Sequence, residues 1–214
     1  MLNIKRFVFN PVQENTYVVS DETKDCVIID CGAYCEDERL AIVNYINENR
    51  LVPKHLLCTH GHFDHCMGAG TIYKEFGLLL EVNKKDDYLI TDMKEQVRSF
   101  LGVDFENDET MQLTYIGEND TIEFGTHRLK VLSTPGHTPG GVIYHCPEER
   151  VVFTGDTLFK MSIGRTDFEG GNEMVMFQTL RNVIAKLPVD TEVWSGHGPK
   201  TTIGEELRTN PFLR

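Results

Sequence analysis

Thr59-His60-Gly61-His62-Phe63-Asp64-His65 places four metal-ligand side chains within six residues, in a chain that holds only eight histidines. A short polar loop is the plain reading of such a run. Imidazole nitrogens suit zinc and iron, however, and carboxylates suit harder ions. Alternating residues in a non-helical loop aim side chains in two directions. His60 and His62 then point one way and Asp64 and His65 another, so two neighbouring ions are expected, provided that the rest of the chain supplies further ligands.

The bulk properties admit such a centre. The 214 residues are 40% hydrophobic and 25% charged, enough for one sizeable core and its cover, with no linker, repeat or low-complexity segment. A single domain over 1–214 is expected. The formal net charge of −12 opposes binding to nucleic-acid backbones or anionic lipid. Met1 to Asn10 has Lys5 and Arg6 inside a short apolar run and lacks the apolar core of an export signal, and no stretch is long enough to cross a membrane. These features predict a cytoplasmic protein with a small-molecule substrate and leave the oligomeric state open. The six cysteines match no disulfide framework, so reduced thiols are expected.

Strands are predicted over 2–9, 15–20, 26–30, 55–58, 78–82, 121–124, 127–132, 141–145, 151–154 and 192–195, from clustered β-branched and aromatic residues between turn signals. Helical spacing marks 36–49, 67–76, 84–101 and 172–187, with a short helix near 204–208. On this reading His65 lies near a helix N-terminus, and 102–120 is an irregular acidic connection. His137 lies in the rigid run Pro135-Gly-His-Thr-Pro-Gly140, Asp156 in Thr154-Gly-Asp-Thr-Leu-Phe159, and His197 in Gly196-His-Gly-Pro199. Each follows a predicted strand. Five histidines and two acids therefore stand on loops after strands, about the inventory a pair of ions needs. His55, His127 and His145 fall within strands and are expected to be ordinary histidines without partners.

As an ordered set, these motifs resemble the metallo-β-lactamase superfamily, and within it glyoxalase II, the hydroxyacylglutathione hydrolases. The resemblance implies an α/β fold, an αββα sandwich of two mixed β-sheets with flanking helices. It implies that His60, His62 and His137 bind one ion, Asp64, His65 and His197 a second, and that Asp156 bridges them. Zinc is the default ion, with iron or manganese as alternatives. The implied activity is thioester hydrolysis through a metal-bridging hydroxide, with Asp64 orienting the hydroxide. Lys160 and Arg165 are candidate substrate contacts, and Asp30 and Thr59 would orient the ligands. Only Gly198 to Arg214 follow the last histidine, where glyoxalase II has a helical glutathione-binding region. Asp167 stands where an aromatic contact is expected. A single-iron oxygenase like the persulfide dioxygenases, or a lactone or ester hydrolase, is the alternative.

Overall fold

The computed structural model describes residues 1–105 and 111–213. Its first sheet contains β1 (Asn3–Phe9), β2 (Glu14–Ser20), β3 (Asp25–Ile29), β4 (Val52–Leu57), β5 (Leu80–Asn83) and β6 (Leu113–Ile116), side by side in that order. The first three are antiparallel and β3 to β6 run parallel. The second sheet contains β7 (Thr121–Phe124), β8 (His127–Ser133), β9 (Val142–Cys146) and β10 (Val151–Gly155). After the small hairpin β11 (Leu158–Phe159) and β12 (Ser162–Ile163) it is completed by β13 (Glu192–Ser195) and β14 (Thr201–Thr202). Its strand order is β14-β13-β10-β9-β8-β7, with β10 and β13 parallel. Both sheets are mixed, as the αββα sandwich requires.

Alternation along the strands divides the apolar residues among three layers. Tyr17, Val19, Val27, Ile29 and Leu57 of the first sheet meet Phe124, Leu129, Val131, Tyr144 and Phe153 of the second. The opposite face of the first sheet, with Val18, Ile28 and Leu56, is covered by α1 (Glu36–Glu48), α3 (Ala69–Phe76) and α5 (Met93–Leu101) through Ile42, Ile46, Ile72 and Val97. On the far side, Ile143, Val152 and Val193 pack against Met176 and Leu180 of α6 (Glu173–Asn182) and Ile203 of α7 (Ile203–Thr209). A strand buried on both faces needs a continuous apolar run, and Cys26-Val-Ile-Ile29 is one.

Several predicted elements differ from those observed. The single helix expected over 84–101 is a turn of 3₁₀ helix at Lys84–Asp86, then α4 (Asp87–Thr91), a break at Asp92, and α5. Asp86, which ends the 3₁₀ turn, is fully buried and has non-helical backbone (φ −102°, ψ 6°), and Asp92 leaves helical geometry in turn (φ −90°, ψ 13°). His65 does not stand at the start of α3. It lies in a preceding single turn, α2 (Phe63–Cys66), with Met67 and Gly68 between the two. The stretch 102–120 contains β6, whose backbone pairs with β5 from Leu113 to Ile116; residues 106–110 of that stretch lie outside the described residues. The predicted helix 172–187 ends at Asn182 and continues as a 3₁₀ turn at Ile184–Lys186. Among the described residues no helix is long and apolar enough to cross a membrane.

Candidate metal centre

The ligand loops all leave carboxyl ends of strands: β4 delivers His60 to His65, β8 delivers His137, β10 delivers Asp156 and β13 delivers His197. Tight approach at these ends requires glycine. Gly155 has φ +47°, and a Cβ there would collide with Thr59; one on Gly196 would collide with the Asp156 carboxylate.

Two clusters result. His60, His62 and His137 lie with ring centroids 4.6–4.8 Å apart, and His62 Nδ1 is 2.9 Å from His137 Nε2. Asp64 Oδ2 lies 3.2 Å from His197 Nε2 and 3.4 Å from His65 Nε2. Asp156 stands between them, with Oδ1 3.4 Å from His65 Nε2 and Oδ2 3.6 Å from both His137 Nε2 and His197 Nε2. Ligand atoms about 2.1 Å from one ion at a tetrahedral angle lie about 3.4 Å apart, so these separations suit coordination.

The outer ring nitrogens fix the tautomers. His65 Nδ1 donates to Asp30 Oδ2 at 2.9 Å and His137 Nδ1 to the Arg165 carbonyl at 2.6 Å. His197 Nδ1 faces the Gln13 carbonyl at 3.3 Å. Thr59 Oγ1 donates to Asp30 Oδ2 and so accepts from His60 Nδ1 at 3.1 Å. Each of these four rings is left with an Nε2 lone pair aimed inward. Three atoms at the centre, His60 Nε2, His65 Nε2 and Asp156 Oδ1, are buried with no hydrogen-bond partner. Buried polar atoms are nearly always satisfied, and cations held by this donor set satisfy all three.

Electrostatics agree. Burial first, then the neighbouring imidazoles, hold His60 well below the ordinary histidine pKa; burial and His137 bring His62 down to about 3. Both rings are neutral, as ligands must be. Burial opposes a charge on His65, but Asp64, Asp30 and Asp156 outweigh it and push its pKa well up. The same three carboxylates favour a cation at this point. Burial would raise Asp156, yet His65 and His197 hold it well below the carboxylate range.

The seven residues expected as ligands are thus brought together, and Asp30 and Thr59 lie directly behind them. Asp30 Oδ1 also accepts from the Thr59 backbone N–H at 2.7 Å. Arg165 lines the adjoining pocket, but its Nε and Nη2 are bound to Asp167 Oδ1 and Oδ2 at 2.8 and 2.6 Å. Its guanidinium lies 4.1 Å from the Phe168 ring centroid. Lys160 is exposed in the turn between β11 and β12 and does not line that pocket. The histidines outside the centre are better partnered than expected. His55 pairs with Glu81 at 2.6 Å, and His127 sits between Asp21 and Glu149 at 3.0 and 2.9 Å; His145 Nε2 alone matches the expectation, being buried without a partner.

Three features of the site have no counterpart in the sequence reading. Asp86 ties the two histidine loops together: Oδ2 accepts from Gly61 N at 3.1 Å and Thr138 Oγ1 at 2.7 Å, and Oδ1 from Gly140 N at 2.6 Å. Asn10 donates to the Gly32 and Asp64 carbonyls, both at 3.0 Å, holding the loop from below. Its pairing with Pro11 signals only a break in the chain. The centre opens into a cavity of about 270 Å³ walled by Val12, Phe63, Phe100, Phe159, Ile163 and Phe168. Phe168, one residue beyond Asp167, puts an aromatic ring on this wall beside His62.

The sandwich and its ligand loops have counterparts in known proteins. A model of the metallo-β-lactamase superfamily matches residues 9–197, from the end of β1 to the last ligand. Hydroxyacylglutathione hydrolase GloC of Haemophilus influenzae is 36% identical over 213 residues, covering 99% of this chain and 98% of that protein. The crystal structure of the BLEG-1 B3 metallo-β-lactamase superposes with a TM-score of 0.87 at 34% identity, over 100% of this chain and 99% of the other. That of TTHA1623 in a di-iron-bound form gives 0.86 at 33% identity, over 98% and 100%. With the family model spanning most of the chain and all four loops of the site, the chain belongs to the metallo-β-lactamase superfamily.

Proposed function

We propose that the protein is a two-metal hydrolase that cleaves 2-hydroxyacyl thioesters. The observation that carries this reading is the pair of three-residue ligand clusters sharing Asp156 at the floor of an apolar pocket. Its similarity to GloC supports the thioester. His60, His62 and His137 would hold one ion, Asp64, His65 and His197 the other, with Asp156 between them. Divalent ions at such a centre polarise a carbonyl and lower the pKa of water to about 7. Zinc is the ion we favour, although a mixed nitrogen and oxygen donor set also accepts iron or manganese.

The chain's own residues prepare the rest. Asp30 and Thr59 lock the His60 and His65 tautomers, and Asp86 keeps the two loops in register. Asp64 Oδ2, directed at the centre beside His65 and His197, orients the attacking water. The phenylalanine wall excludes bulk water from the acyl group. Water adds to the carbonyl, the C–S bond breaks, and the released thiolate takes up the proton that water loses. A thiol with a pKa of about 8.5 leaves without a dedicated protein acid, and the pocket offers no spare one. A single-iron oxygenase would use only His60, His137 and Asp156; the convergence of Asp64, His65 and His197 favours the two-ion reading. A small-molecule substrate and a cytoplasmic location complete the proposal.

The test is a panel of thioesters, lactones, β-lactams and persulfides given to zinc- and iron-loaded protein. Lactoyl thioesters should be cleaved fastest. Turnover of another class with every thioester inert would overturn the reading.

A further inference from the structure

We infer that the thiol half of the substrate bears no carboxylate: the chain acts on 2-hydroxyacyl esters of uncharged or amine-bearing thiols in preference to those of an acidic peptide such as glutathione. This deepens the thioesterase reading and rests on it.

The leaving thiol must extend from the ligands along the wall of the cavity. That wall continues into a second depression of about 230 Å³, which shares His62, Gln96, Phe100 and Phe168 with the first. The second depression is edged by Asp92, Glu95 and Glu169. None of these three acids has a cationic partner among the described residues. Among the described residues Glu95 accepts from the Ser99 hydroxyl and feels Arg98 at longer range, the Arg98 guanidinium itself being bound to Asp104. Among the described residues that line the two depressions, Arg165 is the one arginine or lysine. The fork with which a guanidinium takes a carboxylate, Nε and Nη2, is already closed on Asp167.

Glutathione brings one ammonium and two carboxylates to this surface, a net negative charge, and the carboxylates would meet three like charges and no open fork. The chain's net charge of −12 adds to the repulsion. An uncharged thiol meets only the phenylalanine wall, and an ammonium group would find acids on the rim. The acids are exposed, so their influence acts through solvent and must weaken with salt.

The experiment compares kcat/KM of the zinc-loaded enzyme for the lactoyl thioesters of glutathione, N-acetylcysteamine and 2-(dimethylamino)ethanethiol at low and high ionic strength. Binding of the S-hexyl thioethers of the same thiols, which cannot be hydrolysed, is measured alongside. At low salt the glutathione ester should be at least tenfold poorer than the other two, the gap narrowing as salt rises. In the double variant Glu95→Gln, Glu169→Gln the ratio of glutathione to N-acetylcysteamine ester should rise about tenfold, and the thioethers should rank in the same order. A preference for the glutathione ester, or a ratio unmoved by salt and by the double variant, would overturn the inference. If no thioester is cleaved while the thioethers keep the predicted order, the thioesterase reading fails and the charge selection stands.

Discussion

Removing the Asp86 carboxylate should loosen the metal centre from a position that holds no ligand. In Asp86→Ala the N–H groups of Gly61 and Gly140 and the hydroxyl of Thr138 lose their acceptor in a site where Asp86 is fully buried. Each orphaned buried donor costs about 1–3 kcal/mol, so three amount to roughly 3–9 kcal/mol. Part of this is returned, because burial disfavours the Asp86 anion and pushes its pKa up. A net loss of about 3 kcal/mol is expected. With an m-value of roughly 2–3 kcal/mol/M, the urea midpoint of the metal-free protein should fall by about 1 M. Asp86→Asn keeps an acceptor oxygen but turns an N–H₂ towards a donor, and should lose about half as much. Zinc affinity should drop roughly 10–100-fold in the alanine variant, as when a residue that orients ligands is removed. A midpoint within experimental error of wild type, with unchanged zinc affinity, would refute the claim that Asp86 binds the two loops together.

Three further outcomes follow from contacts around the site. Asp30→Asn places an amide where His65 Nδ1 and Thr59 Oγ1 now donate; zinc affinity measured by competition with a chelator should fall roughly 10–100-fold, and an unchanged value would remove Asp30 from the site. For His127, burial opposes the charge but the Glu149 and Asp21 carboxylates outweigh it and raise its pKa. A group whose pKa is raised on folding stabilises below its unfolded value, near 6.5, and loses that contribution as pH rises through the folded value. His127→Gln should therefore lower the melting temperature more at pH 5.5 than at pH 9, and an equal loss at both would contradict the pairing. Cys35 is the one exposed thiol, the other five being buried. A thiol reagent should label one cysteine quickly in the native protein and the rest only after denaturation; rapid labelling of several would argue against the burial of the other five.

The seven residues of the two clusters are legible in the sequence because coordination chemistry restricts the residue types and strand ends restrict their spacing. His60 to His65 stand together in one loop, and His137, Asp156 and His197 each follow an apolar run with glycine beside it. The sandwich is legible only through the likeness of the ordered motifs to the metallo-β-lactamase superfamily; a run such as Cys26 to Ile29 says no more than that its strand is covered on both faces. Asp86 is not legible. It lies in a lysine- and aspartate-rich stretch that reads as a solvated helix, and its partners Gly61 and Gly140 are distant in sequence. The helix expected over 84–101 is interrupted at Asp86 itself and again at Asp92. β6 escapes notice because Leu113 to Ile116 is a short, half-buried edge strand whose identity depends on its pairing with β5. His55 and His127 read as unpartnered because Glu81, Asp21 and Glu149 come from neighbouring elements. Phe168 carries no local signal beyond its place after Asp167, and only the fold brings it against His62.

Counting bound ions tests the central claim most directly. Protein saturated with zinc, freed of excess by gel filtration and analysed for metal, should retain two ions per chain. Retention of one ion or fewer would contradict a centre built from two ligand clusters joined by Asp156.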